Sequence, residues 1–341
     1  MAQPPDFQLS TRFVSRINHF NISHPKKEHI QMRIEENYPI NKISWLSTSY
    51  GASIKNYYEP ESVDELKDLC IKFYNEGIAF DLVGHTSNTL YTPNYVCEHL
   101  ISTRKINTYE IKDNCIICQC GTPVRKLTLA AIEAGIKGFE GLIDLPGTVA
   151  SAIYGHATCF GSDLSNLLVK ATILTEDGQI RIVSPDWFGF EKRSSVLKRG
   201  EKKGIILTVT LRRENGNPDE LKHLAEMYHA KRRAKQPEAK NSLGSIFAKS
   251  GRKTILNIAL SVITKPYGII LKLMGANKQE VKKKRKYLTF LLLGARDVEP
   301  YVRGWNWFQW NDKASHDLFW KYVKLHKLMF TKSDFEIEIK K

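Results

Sequence analysis

This sequence predicts an α+β fold, and three observations carry that expectation. A helix-period apolar stripe fills residues 61–78, short alternating segments punctuated by turn residues follow it, and the composition changes near residue 214. The chain has 341 residues, enough for two or three domains of about 100–200 residues each. We expect an N-terminal extension over 1–45, a first α+β unit over 46–213 and a C-terminal α+β unit over 214–341.

The elements follow in order. Residues 1–45 are polar and mixed, with "SHPKKEH" reading as loop, and suggest no function of their own. In "ESVDELKDLCIKFYNEGI" Glu61 and Ser62 open a helix. Val63, Leu66, Leu69, Cys70 and Phe73 recur at helical spacing, and Gly77 closes it. A strand "AFDLV" then runs into the turn "GHTSN". Two or three short strands and a helix at 124–134 come next. "LLVKATILTEDGQIRIVS" is a hairpin turning at Asp177-Gly178, and "KKGIILTVTLRRE" is one more strand. A basic helix over 219–237 stops at Pro237 and opens the second unit.

Two loops stand out, at 84–88 and 146–161. The second lies in "GLIDLPGTVASAIYGHATCFGSDL", which is rich in glycine and nearly without charge inside a strongly basic chain. Such residues order at high entropic cost. They belong where the backbone must approach a non-protein group closely and offer it N–H donors. The dinucleotide fingerprint G-x-G-x-x-G is absent from the strand–helix setting it requires.

Composition narrows the function classes. No apolar run in the sequence reaches the roughly 18 residues of a spanning helix, and the first residues lack an apolar signal core, so the expected location is cytoplasmic. The net charge of +15 favours an anionic partner. Nucleic acid is not expected, because the aromatics are not interleaved with the basic runs as stacking platforms would be. Of six cysteines, Cys115 and Cys118 have C-x-x-C spacing, but no second pair follows. "NCIICQCG" reads as an alternating strand, and no metal site is expected.

The order of motifs resembles one family, the flavin-dependent UDP-N-acetylenolpyruvoylglucosamine reductases, also called UDP-N-acetylmuramate dehydrogenases. "EPESVDELKDLCIKFYNEGIAFDLVGHTSN" is similar to the family segment ending in Gly-Gly-Gly-Ser-Asn. "GFEGLIDLPGTVASAIYGHATCFGSDLSNLL" resembles its Gly-Ile-Pro-Gly-Thr-Val-Gly-Gly-Ala signature. "KRSSVLK" resembles Tyr-Arg-Ser-Ser-Ile-Phe-Lys, and "AKRRAKQP…NSLGSIFAK" resembles Arg-Arg…Gln-Pro…Ser-Ala-Gly-Ser-Val-Phe-Lys. "GWNWFQWNDKASHDLFWKYV" matches a segment near the end of the third domain. The resemblance runs from about residue 46 to the C-terminus. It implies a two-subdomain FAD-binding fold of the vanillyl-alcohol-oxidase/PCMH type followed by a substrate domain.

The resemblance further implies an oxidoreductase of peptidoglycan synthesis. It would reduce UDP-N-acetylglucosamine enolpyruvate to UDP-N-acetylmuramate through FAD, with NADPH as hydride donor. FAD would lie on Gly84, His85, Thr86, Ser87, Asn88, Gly147, Thr148, Ala150, Ser151 and Gly161. Arg193 would pair with the substrate carboxylate and stabilise the developing enolate, Ser245 would donate the proton, and Glu338 would share the enolate-stabilising or acid role. Lys192, where the family has Tyr, and the basic-helix residues Arg232 and Arg233 would meet the nucleotide sugar.

Departures from the pattern leave a second reading open. "GHTSN" replaces a triple glycine, Lys192 replaces Tyr, and "AKSG" replaces Lys-Asn-Pro. A basic insert at about 261–297 lengthens the second unit. These changes admit a divergent paralogue acting on another nucleotide sugar in surface polysaccharide synthesis. A flavin oxidase with His85 or His156 near the flavin is a further alternative. The insert's apolar "YGIILKLMGA" and "YLTFLLLGA" flank "KKKRK", a pattern that admits weak contact with an anionic membrane face. The preferred expectation is plainer: a core helix, a solvated charged turn and a core strand.

Overall fold

The first sheet begins inside the segment expected to be extension. The computed structural model describes residues 32–46, 51–235, 242–311 and 315–341. In it β1 (Arg33–Pro39) pairs antiparallel with β2 (Ser53–Glu59). Ring stacking of Tyr38 on Tyr57, 4.0 Å between centroids, locks the pair. The structure thus draws residues 33–39 of the expected extension into the first sheet, while residues 1–31 lie outside the described residues.

Helix α1 (Val63–Glu76) forms as its sequence directs. The Ser62 hydroxyl accepts the Glu65 amide, a cap worth about 1 kcal/mol, and Gly77 ends the helix at φ 67°. Leu66, Leu69, Cys70 and Phe73 form its buried stripe. β3 (Asp81–Val83) and, beyond the short β4 (Thr89–Tyr91), β5 (Val96–Ser102) complete a sheet of order β1-β2-β5-β3. β3 and β2 both run parallel to β5.

A second, five-stranded antiparallel sheet follows. Its strands are β6 (Tyr109–Ile111), β7 (Cys115–Gln119), β10 (Leu168–Leu174), β11 (Ile180–Val183) and β12 (Ile205–Arg212), in the order β11-β10-β12-β7-β6. Between β7 and β10 come α2 (Val124–Glu133), α3 (Val149–Tyr154) and a small hairpin of β8 (Thr158–Cys159) and β9 (Ser162–Asp163). β7 alternates buried and half-buried residues, so its cysteines are strand residues as expected. α2 and α3 share one apolar core with this sheet, built on Ile116, Leu127, Val149, Ile153, Ile173 and Val209.

The C-terminal part opens with the basic helix α4 (Pro218–Lys235), whose first two amides are capped by Asn217. Its expected stop at Pro237 falls outside the described residues. β13 (Phe247–Ser250) leads into the insert, where the expected helix over "YGIILKLMGA" forms but lies largely exposed, and the charged turn and core strand are overturned. α5 (Ile255–Ile263), α6 (Lys265–Leu273) and α7 (Lys278–Leu292) are three helices in a row. "KKKRK" lies within α7, and the "strand" is that helix's last turns. α5 and α6 together, Ile255–Leu273, are long and apolar enough by length and composition to cross a membrane, contrary to the reading from apolar runs. Thr264 and Pro266 break the stretch in two.

The chain then forms a β14 (Val302–Gly304)–β15 (Trp307–Phe308) pair and α8 (His316–Met329), ending in β16 (Ser333–Phe335) and β17 (Glu338–Lys340). β16 pairs with β13, whereas β17 leaves this part and runs parallel beside β4. Leu90 of β4 and Ile337 accordingly sit in the same core as Phe247, Phe319 and Tyr322. Residues 33–341 thereby form one compact unit around the end of the first glycine-rich loop.

Candidate active site

Both glycine-rich loops open onto one cavity of about 450 Å3. The first loop leaves β3 and carries Gly84 to Asn88 into β4. None of the amide N–H groups of His85, Thr86, Ser87 and Asn88 donates to a described residue. Four consecutive free donors form a concavity suited to an anionic group. Thr86 stands at φ 53°, in the left-handed region that a β-branched residue adopts only under constraint. Its hydroxyl supplies that constraint, donating to the Ile43 carbonyl at 2.7 Å and accepting the Trp45 amide at 2.9 Å. Burial pushes the His85 imidazole down to about 4, so it is neutral near pH 7.

The second loop meets the first through small atoms. A Cβ on Gly84 would lie 2.8 Å from Thr148 Oγ1, and one on Gly147 would lie 3.3 Å from Ser87 Oγ. Thr148 and Ser151 close a reciprocal capping box at the amino end of α3. Thr148, Ala150 and Ser151 line the cavity, whereas Gly147 holds the turn at φ 108° behind it. Gly161 is outside the cavity wall. With Phe160 it makes the two-residue turn between β8 and β9, both at positive φ.

The remaining wall comes from distant parts of the chain. Arg193 lies at φ 61° and its Nε is 3.1 Å from Glu336 Oε1. Glu336, in the bend before β17, and Glu338, the first residue of β17, both reach the cavity, as do Ser245 and Lys198. β17 is fixed there by backbone: the Glu338 amide donates to the Asn88 carbonyl at 2.8 Å, and Asn88 Nδ2 donates to the Glu336 carbonyl at 3.1 Å. Burial raises both carboxyls above the usual range, opposed by Arg193 and Lys198 at Glu336 and by Lys198 and Lys340 at Glu338. Ser245 Oγ makes no hydrogen bond to a described residue.

α4 reaches the cavity over the β8–β9 hairpin. Tyr228 stacks on Phe160 at 4.8 Å, and Arg232 Nη1 approaches Cys159 Sγ at 3.5 Å. Arg232 lines the cavity, while Arg233 and Lys192 are exposed and do not. Glu336, Lys198 and Tyr154 are cavity residues that sequence reasoning did not select. Lys198 ends the "KRSSVLK" motif. Glu336 shares the alternation "EIE" with Glu338, so a strand period of two would have found it.

The glycine contacts between the loops, the four free amides and the cation-bearing wall fit a flavin dinucleotide. Residues 54–184 match the FAD binding domain family, so this part of the chain is an FAD-binding domain. Among its sequence relatives, a UDP-N-acetylenolpyruvoylglucosamine reductase of Caldicellulosiruptor saccharolyticus is 31% identical over 199 residues. That match covers 58% of this chain and 64% of the relative, just under two thirds of its length. A reductase of the same name from Clostridium kluyveri is 26% identical over 243 residues, covering 71% of this chain and 74% of the relative. The crystal structure of the Thermus caldophilus UDP-N-acetylenolpyruvylglucosamine reductase (MurB) superposes with a TM-score of 0.63 at 20% identity. It covers 91% of this chain and 99% of that one, and so shows the fold. The family resemblance and the α+β FAD-binding fold expected from the motifs are borne out.

Proposed function

We propose that this protein is an FAD-dependent oxidoreductase that reduces UDP-N-acetylglucosamine enolpyruvate to UDP-N-acetylmuramate with NADPH, in the cytoplasmic stage of peptidoglycan precursor synthesis. The observation that carries the proposal is the convergence of Arg193, Ser245, Glu336 and Glu338 on the cavity bounded by both glycine-rich loops. Residues 84–88 and 148–151 would hold the FAD, which when bound supplies hydride transfer.

The reaction adds one hydride and one proton across an enol-ether double bond beside a carboxylate. NADPH is oxidised, and the proton comes through the protein. Arg193 offers its two Nη groups to the substrate carboxylate while Glu336 holds Nε, which orients the guanidinium plane. The same charge stabilises the enolate that hydride addition leaves. Ser245 delivers the proton to the neighbouring carbon. Glu338, held toward its protonated form by burial, supports that transfer. Arg232, on the cavity wall, would meet the diphosphate of the nucleotide sugar.

Steady-state NADPH oxidation tests the proposal. Consumption must require the enolpyruvyl substrate, and the product must carry two additional hydrogens by mass. Arg193→Lys keeps the charge but loses the fork, and we expect kcat/KM to fall by about 10²–10³. Substrate-independent NADPH consumption, or an unaltered Arg193→Lys enzyme, would contradict the assignment. One observation favours a second reading: Lys192, at the family's substrate-contacting Tyr position, is exposed and off the cavity wall. Activity with a different nucleotide sugar, and none with the enolpyruvyl compound, would select it.

A further inference from the structure

The insert leaves an aliphatic face bare beside a field of unpaired lysines. Along α5 and α6 an inner stripe of Asn257, Leu260, Thr264, Gly268 and Leu271 packs on the protein. Asn257 Nδ2 donates to the Met329 carbonyl at 3.1 Å, and Arg285 of α7 donates to the Ser261 carbonyl at 3.0 Å beneath Gly268. The outer stripe is different. Ile255, Ile258, Val262, Ile270, Leu273 and Met274 are each at least 52% exposed. A contiguous apolar surface of this kind marks a contact surface.

Its electrostatics say what covers it. From Arg252 to Arg296 the chain carries eleven Lys and Arg and one acid, Glu280, which is spent in the capping box at Asn277. Lys265, Lys272, Lys278 and Lys282 to Lys284 are exposed and form no ion pair with a described residue. A second copy docking face to face would add these charges to their like, with only Glu280 to offset them. The outer face of α5 and α6 is mainly aliphatic, with Tyr267 as its one exposed aromatic and no arginine, short of the aromatic and arginine cluster that marks protein–protein hot spots. The inner stripe is committed to the protein and Thr264–Pro266 interrupts the helix, so the segment lies along a surface rather than crossing it.

We propose that α5–α7 seat the protein on an anionic lipid bilayer. The outer stripe would enter the boundary between headgroups and acyl chains, and the lysines would meet the headgroups. This inference is independent of the reaction assigned to the cavity. It is tested by cosedimentation of the full chain with vesicles of phosphatidylcholine alone or containing phosphatidylglycerol, at low and high salt. Flavin absorbance and circular dichroism serve as fold controls.

Binding is expected only to the anionic vesicles, weakening with salt. Substituting Lys282→Gln, Lys283→Gln and Lys284→Gln together should lower the partition coefficient on the order of a hundredfold. Ile258→Asp with Ile270→Asp should abolish binding with the fold intact. Equal binding to neutral vesicles overturns the electrostatic half of the proposal. A monomer that binds no vesicle overturns all of it in favour of a protein partner. A dimer by light scattering that the Ile258→Asp/Ile270→Asp variant dissolves would give the face to a second copy.

Discussion

Four residues with side chains hold left-handed backbone around the cavity: Thr86, His156, Phe160 and Arg193, at φ 53°, 45°, 48° and 61°. Each such position costs about 1–3 kcal/mol and persists only where its surroundings impose it. At Thr86 the imposing contacts are the bonds to Ile43 and Trp45. At Arg193 they include the Glu191–Ser194 bridge and the ion pair to Glu336. The glycines are constrained in the opposite sense. Gly84→Ala would drive a methyl against Thr148, whose side chain is pinned by its capping box, so the loops must part. With overpacking at about 1–3 kcal/mol, FAD affinity should fall at least about tenfold, read by fluorescence titration of the apoprotein. Glu338 gives a pH signature. Its folded carboxyl is raised by burial, so its contribution to stability is present at low pH and lost as pH rises through the folded value. Glu338→Gln should therefore raise the melting temperature of the flavin-free protein at pH 7, with the difference closing below the unfolded carboxyl value of about 4.3. A lower melting temperature at pH 7 would contradict the burial argument.

Elements with local punctuation were legible, and those defined by partners were not. Ser62 and Gly77 bound α1 to within a residue or two, and Asp177-Gly178 marks its hairpin, with Gly178 at φ 75°. β1 escaped notice because "RIEENYP" is an edge strand exposed along most of its length, without the alternation that betrays a half-buried strand. "YLTFLLLGA" was misread because a short apolar run suits strand and helix alike. The deciding signal lay upstream, in Asn277-Lys-Gln-Glu280, a capping box that starts α7 and carries it through the basic run. α8 carries its own prediction. His326 is fully buried between Ser250 and Ser333, and burial pushes its imidazole down to about 4. The unfolded chain therefore takes up this proton first, near 6.5. Stability should fall as pH drops from about 6.5 to about 4, and His326→Gln should flatten that slope in a thermal-melt series.

At the scale of the whole molecule the site depends on a return of the chain. The two glycine-rich loops were legible because their chemistry is local: glycine where backbones touch, hydroxyl and amide residues where donors are exposed. The pairing of β17 with β4 is a long-range register that no local pattern announces, and it is what carries Glu336 and Glu338 to the first loop. Lys340 bonded to Asp81 at 2.7 Å ties the same strand to the base of that loop. Arg193 and Ser245 were found because their motifs resemble a family, while Glu336 and Lys198 needed the fold to bring them together. The most direct test is an anaerobic single turnover followed by visible absorption. The FAD-loaded protein should lose its flavin bands on addition of NADPH and regain them on addition of UDP-N-acetylglucosamine enolpyruvate. Bands that never appear after reconstitution with FAD, or that NADPH leaves unchanged, would contradict a flavin reductase at this cavity.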